Sequence, residues 1–144
     1  MIRPSRWVLF LALLILTAPV SGRAIAAADA GGPQSRLEAR NSQGYRGLLT
    51  FAAAPLVTMR PTPFRLVLFD PRGRPTTAPE LVCDLTMPAM PMPENRPRLT
   101  PGKTAYTGKA VFTMAGAWRV SILIHPAGGE ESRLIFDIDR VLLK

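Results

Sequence analysis

Prolines are so frequent in this chain that they exclude long regular helices over most of its length. The sequence holds 15 prolines in 144 residues, and 12 of them follow residue 44. Proline has a fixed φ and no backbone N–H, so it interrupts helices and the inner strands of sheets. Between the prolines and glycines, apolar and polar residues alternate in short runs, which is typical of strands with one buried face. We therefore expect an all-β fold.

Short β-runs with turn residues between them occupy residues 45–144. The turn signals include Asp-Pro-Arg-Gly at 70–73, Ala-Gly at 115–116 and Ala-Gly-Gly at 127–129. About seven strands at this spacing predict an immunoglobulin-like antiparallel β-sandwich. The runs lie at 46–53, 56–59, 64–69, 80–86, 96–99, 105–113, 117–125 and 133–139, the fifth of these being short.

The N-terminal residues resemble an export signal. Arg3 and Arg6 precede an almost purely apolar run at 7–18, and Ala-Ala-Ala at 26–28 provides a cleavage site. The apolar run is shorter than the roughly 20 residues that span a bilayer. We predict a signal helix at 1–28, a periplasmic mature protein without a membrane span, and a flexible polar linker at 29–44. A cut after Ala26 and an uncleaved N-terminal anchor are the alternatives.

The charge and the cysteine content of the chain argue against some classes of function. Without residues 1–28 the chain keeps 15 of its 18 basic residues and all 10 acidic ones, a net charge of +5. The basic residues are scattered and lack interleaved aromatics, so we expect no nucleic-acid partner. Cys83 is the only cysteine, so no intramolecular disulfide can form. Its alternation with Leu81 and Leu85 favours a buried thiol over a reactive one.

Residues that support catalysis are scarce. His125 is the only histidine, and we expect it to be exposed to solvent at the end of its strand. No nucleophile motif, phosphate-binding loop or carboxylate pair is visible, and one histidine with one cysteine cannot supply a usual zinc site. We therefore expect that the protein is not an enzyme.

The segment Met87-Pro-Ala-Met90-Pro-Met92-Pro is the one stretch that suggests a specific chemistry. Its prolines place the methionines on a stiff, extended loop, and thioether sulfur is a soft ligand that selects Cu(I). Met90 and Met92 are the leading candidates, with Met87 or Met114 assisting if the fold brings their turns together. The alternatives are core packing for Met87 and Met114, and capping of the sandwich end for Met90 and Met92.

The motif at 87–92, followed by Gly102, Tyr106 and Met-Ala-Gly-Ala-Trp at 114–118, resembles the YtkA-like / FixH family of exported domains. Pro-Phe-Arg-Leu-Val-Leu-Phe-Asp-Pro-Arg-Gly at 63–73 also fits that family, and the resemblance covers about residues 45–140. It implies a compact β-sandwich, and it implies an association with copper handling or with the assembly of membrane oxidases. The loop also resembles copper-resistance proteins of the CopC type, although it lacks the histidines usual there.

These observations lead to two functional hypotheses. The first is a periplasmic accessory protein that binds Cu(I) weakly through Met90 and Met92, with Met87 or Met114 assisting, and passes or buffers copper for a membrane partner. The second is a binding module without a metal, in which the Pro/Met loop docks an envelope or inner-membrane protein.

Overall fold

The computed structural model describes residues 34–144, which form two antiparallel β-sheets. The predicted signal helix, residues 1–28, and the start of the predicted linker lie outside this range. The prediction of an antiparallel β-sandwich is confirmed for the described residues. The strands are β1 (Ser35–Arg40), β2 (Arg46–Phe51), β3 (Thr62–Phe69), β4 (Pro75–Thr76), β5 (Glu80–Thr86), β6 (Thr100–Pro101), β7 (Tyr106–Ala110), β8 (Gly116–His125) and β9 (Ser132–Val141).

The larger sheet has the strand order β1-β2-β3-β7-β6, with the short β4 paired to β3. The smaller sheet has the order β5-β8-β9. Each named pair of strands is antiparallel. The chain therefore passes from the larger sheet to the smaller one before β5, returns after it, and crosses again before β8.

Alternating side chains of both sheets fill the space between them. On β8, Trp118, Val120, Ile122 and Ile124 are buried while the residues between them face outward. Four aromatic rings connect the sheets: Phe51 contacts Phe64 and Phe112 at centroid distances of 5.7 and 5.8 Å, and Phe112 contacts Trp118 at 5.3 Å. This chain of rings lies where β2, β3 and β8 approach the segment that follows β7.

The predicted flexible linker at 29–44 needs correction from residue 35 onward. Residues 35–40 form β1, which pairs with β2 along its whole length. The Asn41 side chain then donates to Ser132 Oγ at 2.5 Å and to the Arg133 carbonyl at 3.2 Å, which fixes the following turn against β9. Only Leu37 and Ala39 mark the inner face of β1, so its apolar alternation is too short to predict a strand.

Four other local predictions were wrong. Residues 56–59 and 96–99 are not strands, and β7 ends at Ala110 instead of continuing to 113. The predicted Ala-Gly hairpin at 115–116 does not join paired strands, because β7 and β8 belong to different sheets. Alternation reveals which face of a strand is buried, but it does not reveal which strand lies beside it.

Two turns lie where the sequence predicts them. The Ala-Gly-Gly segment at 127–129 joins β8 to β9 as an antiparallel hairpin. At 70–73 the Asp70 carboxylate accepts hydrogen bonds from the Arg72 and Arg74 backbone N–H groups at 2.9 and 3.0 Å, and Gly73 takes a φ of 78°. Hydrogen bonds from Arg74 and Arg72 and the nearby Arg74 charge lower the pKa of Asp70, because they favour its charged form.

Candidate functional site

The strand registers define one end of the sandwich, which we call the methionine end. Here β2, β5, β7 and β9 stop and β3 and β8 begin, as shown by the pairs Phe51↔Phe64, Thr62↔Ala110, Thr86↔Arg119 and Gly116↔Val141. The end is built from the connections 52–61, 87–95 and 111–115 and from the terminal residues 142–144. All five methionines of residues 34–144 lie in these connections: Met59, Met87, Met90, Met92 and Met114.

The methionine loop, residues 87–94, projects from this end and is fastened at its base. The Leu85 N–H donates to the Asn95 carbonyl at 2.8 Å, so the chain returns beside the point from which it left. The Asn95 side chain also donates to the Val111 carbonyl at 2.9 Å. Asn95 thereby ties the loop to β5 of one sheet and to the segment after β7 of the other.

Met87 begins the loop and points into the core. It is 7% exposed and continues the buried face of Cys83 and Leu85. Its terminal methyl lies so close to Gly116 that a Cβ on that glycine would meet it at 3.2 Å. The Met87 carbonyl accepts a hydrogen bond from the Met90 N–H at 3.3 Å. Met87 therefore joins the methionine loop to the start of β8 by packing.

The side chains of Met90 and Met114 are exposed to solvent, and that of Met92 is partly buried. The exposed fractions are 45% for Met90 and 37% for Met114, whereas Met92 is half-buried and packs against the core. The Met114 carbonyl accepts a hydrogen bond from Trp118 Nε1 at 2.9 Å, which holds its backbone against the core. Two of the four methionines selected from the sequence thus present their side chains to solvent at the same end of the sandwich.

Met59 is not among the predicted site residues, and it is the most exposed methionine of the described residues at 62%. Its backbone N–H donates to the Phe112 carbonyl at 2.8 Å, so it lies beside the segment that carries Met114. Met59 is 28 positions from Met87 in the sequence and belongs to no motif. The signal that could have found it is its place between Pro55 and Pro61, which marks residues 56–60 as a surface connection.

The methionine end also exposes aliphatic side chains. Leu142 is 38% and Leu143 is 78% exposed. The C-terminal residues are held against the 52–61 connection: the Thr58 N–H donates to the Leu142 carbonyl at 2.8 Å, and the Leu142 N–H donates to the Leu56 carbonyl at 2.9 Å. Among the described residues, Ile135 is the one large exposed hydrophobic side chain that lies away from this end.

The other candidate functional residues, His125 and Cys83, lie outside the methionine end. His125 is exposed at the opposite end of β8, with Nδ1 3.5 Å from Glu131 Oε2. Cys83 is 2% exposed, and burial raises the pKa of its thiol to about 12. Within residues 34–144, no group of three or more histidine, cysteine, aspartate or glutamate side chains is arranged to hold a metal ion.

No protein-family model and no curated protein matches this chain, so the resemblance to the YtkA-like / FixH family stays a prediction. Among solved structures, the chain is similar to FetP of uropathogenic Escherichia coli strain F11, which was expressed recombinantly in the periplasm. The two share 9% sequence identity with a TM-score of 0.48, over 77% of this chain and 99% of FetP. At this degree of similarity the match carries no argument about function.

No helix within residues 34–144 is both long enough and apolar enough to span a membrane.

Proposed function

We propose that this protein is exported to the periplasm, binds Cu(I) through methionine sulfurs at the methionine end, and passes or buffers copper for an envelope partner. The observation that carries the proposal is the gathering of all five methionines of residues 34–144 at one end of the sandwich, three of them exposed. Core packing alone would have buried these side chains, because methionine usually serves as an apolar filler of irregular gaps.

Thioether ligands suit a copper-exchange role. They are neutral and need no deprotonation, so binding requires no proton release and persists at mildly acidic pH. They are also soft, which favours Cu(I) over the harder divalent metals. A site of neutral sulfurs at an exposed loop leaves the metal accessible to a second protein.

The burial pattern divides the candidate ligands into three groups. Met90 and Met114 are the donors that we assign first, because their side chains reach solvent. Met92 is an assisting donor at the boundary of the core. Met87 has its side chain in the core and its methyl against Gly116, so we assign it a packing role.

Anaerobic titration with Cu(I) in competition with a chromogenic chelator tests this assignment. The substitutions Met90→Leu and Met114→Leu keep the apolar volume and remove the sulfur. Each should weaken Cu(I) binding by about ten-fold or more, which corresponds to about 1.4 kcal/mol. Met87→Leu is the matched control and should leave the affinity within about two-fold, because that sulfur is not assigned as a ligand. Failure of the unmodified protein to retain Cu(I) would refute the proposal.

Docking of an envelope protein without metal is the second candidate, and the exposed Leu142 and Leu143 favour it. Neither side chain can bind a metal, and both lie beside the methionines. A docking role predicts that Leu143→Asp abolishes capture of an inner-membrane partner while Met90→Leu leaves the capture unchanged. The copper role predicts that Leu143→Asp leaves the Cu(I) affinity unchanged.

Export can be tested separately from the metal. When the full chain is expressed in a Gram-negative host, the periplasmic fraction should contain a product that begins at Asp29, or at Ala27 for the alternative cut. N-terminal sequencing distinguishes these products from the unprocessed chain that an uncleaved anchor would give.

A further inference from the structure

Met59 combines two features that core packing does not explain. It has a φ of 58°, the one positive φ of a residue other than glycine in 34–144, and its side chain is 62% exposed. A left-handed backbone is disfavoured for residues with a Cβ, and glycine or asparagine is the usual choice there. Because most of this side chain is exposed, apolar burial contributes little stability to offset the unfavourable backbone conformation. Strained residues of this kind tend to lie at functional sites.

The surrounding hydrogen bonds hold Met59 in this conformation. Its own N–H donates to the Phe112 carbonyl at 2.8 Å, and the preceding N–H, of Thr58, donates to the Leu142 carbonyl at 2.8 Å. The buried Thr58 hydroxyl accepts a hydrogen bond from the Lys144 N–H at 3.2 Å. The turn is thus fastened to the segment after β7 and to the C-terminal residues, and its position is defined by the fold.

The bond to Phe112 brings Met59 near Met114. Phe112 precedes Met114 by two residues, and two residues of chain span at most about 7 Å. The Phe112 side chain is buried, whereas Met59 and Met114 are both exposed at the same end. Met114 is in turn held by the bond from Trp118 to its carbonyl. Two long, flexible thioether side chains therefore start from fixed backbone positions that are close together.

We propose that Met59 is a sulfur donor of the Cu(I) site, together with Met90 and Met114. This inference rests on the proposed function and adds a ligand that the sequence motif does not contain. The three exposed sulfurs of the site then come from three separate connections, 52–61, 87–95 and 111–115. Such a site exists only in the folded protein, since no single segment supplies more than part of it.

Methionine methyl NMR provides the direct test. The full chain is expressed with ¹³C-methyl methionine and purified after export, and it is titrated anaerobically with Ag(I), a diamagnetic probe for Cu(I), and then with Cu(I). The methyl resonances of Met59, Met90 and Met114 should shift together and saturate at one equivalent of metal. The Met87 resonance should stay in place, and single leucine variants assign each signal.

Two substitutions distinguish the contribution of the Met59 sulfur from that of its backbone conformation. Met59→Leu removes the sulfur but keeps the left-handed strain, and Met59→Gly removes both. Each should weaken Cu(I) binding by about ten-fold, and Met59→Gly should do so without lowering Tm, because glycine adopts a positive φ readily.

The outcomes distinguish this inference from the proposed function. If the Met90 and Met114 methyls shift while Met59 is unmoved and Met59→Leu binds Cu(I) normally, Met59 is not a ligand and the proposed function stands. If no methyl shifts and the unmodified protein retains no metal, both proposals are wrong.

Discussion

Replacing Trp118 with alanine should remove one of the largest contributions to the packing between the two sheets. Its side chain is 0% exposed, meets the Phe112 ring edge-on at 5.3 Å, and donates to the Met114 carbonyl at 2.9 Å. Truncation of a buried tryptophan costs about 3–5 kcal/mol. The edge-to-face pair and the hydrogen bond, each worth about 0.5–1.5 kcal/mol, are part of that cost and place Trp118 at the upper end of the range. We therefore expect a loss of about 5 kcal/mol, which is comparable to the whole stability of a small domain.

Urea unfolding followed by far-UV circular dichroism measures this loss, since Trp118 is the one tryptophan in residues 34–144 and its fluorescence is lost in the variant. Ile135→Ala is the control: this side chain is 44% exposed on the outer face of β9, and its truncation should cost about 0.5 kcal/mol. Trp118→Phe keeps a ring in the core and should cost about 2 kcal/mol, which gives a measurable value if the alanine variant does not fold. A loss below about 2 kcal/mol for Trp118→Ala would refute this account of the core.

Three further predictions follow from individual side chains. In the native protein, the buried Cys83 thiol should react with a thiol reagent at pH 8 only as fast as the protein unfolds, and rapid stoichiometric labelling would contradict its burial. Burial raises the pKa of Cys83 and of Tyr106 to about 12 each. The unfolded state therefore loses these protons first, so the free energy of unfolding should fall as pH rises from about 9 to 12, by at most about 1.4 kcal/mol per pH unit for each group. Urea unfolding of Cys83→Ala should show a shallower fall over the same range, and an identical slope would contradict the assignment to Cys83. Asn95→Ala removes the side-chain hydrogen bond to Val111, so it should cost about 1 kcal/mol of stability and raise hydrogen exchange in residues 87–94. Exchange that is unchanged there would show that the Asn95 side chain does not fasten the loop.

The faces of the longer strands could be predicted from the sequence, because a period of two appears clearly over seven or more residues. The inward positions of β5, β8 and β9 are those that alternation indicates, from Cys83 and Leu85 to Trp118 and Phe136. β1 could not be predicted, since its inner face carries only Leu37 and Ala39 among polar neighbours. The sheet to which a strand belongs is set by packing between distant segments. Alternation within one strand therefore does not predict it.

The candidate site was predictable only in part. The prolines of 87–93 identified a surface loop rich in methionine, and the structure brings Met90 and Met114 to the same end of the sandwich. The core position of Met87 follows from its place at the end of a buried strand face. Met59 could not be connected with Met114 from the sequence, because their proximity depends on the long-range hydrogen bond from the Met59 N–H to the Phe112 carbonyl.

X-ray absorption spectroscopy at the copper edge of the Cu(I)-loaded protein tests the central claim most directly. We predict one Cu(I) per chain with about three sulfur neighbours and no nitrogen or oxygen in its first coordination shell. Substitution of Met90, Met114 or Met59 by leucine should lower the number of sulfur neighbours by about one. A first shell of nitrogen or oxygen, or a protein that retains no copper after desalting, would contradict the assignment of the methionine end as a Cu(I) site.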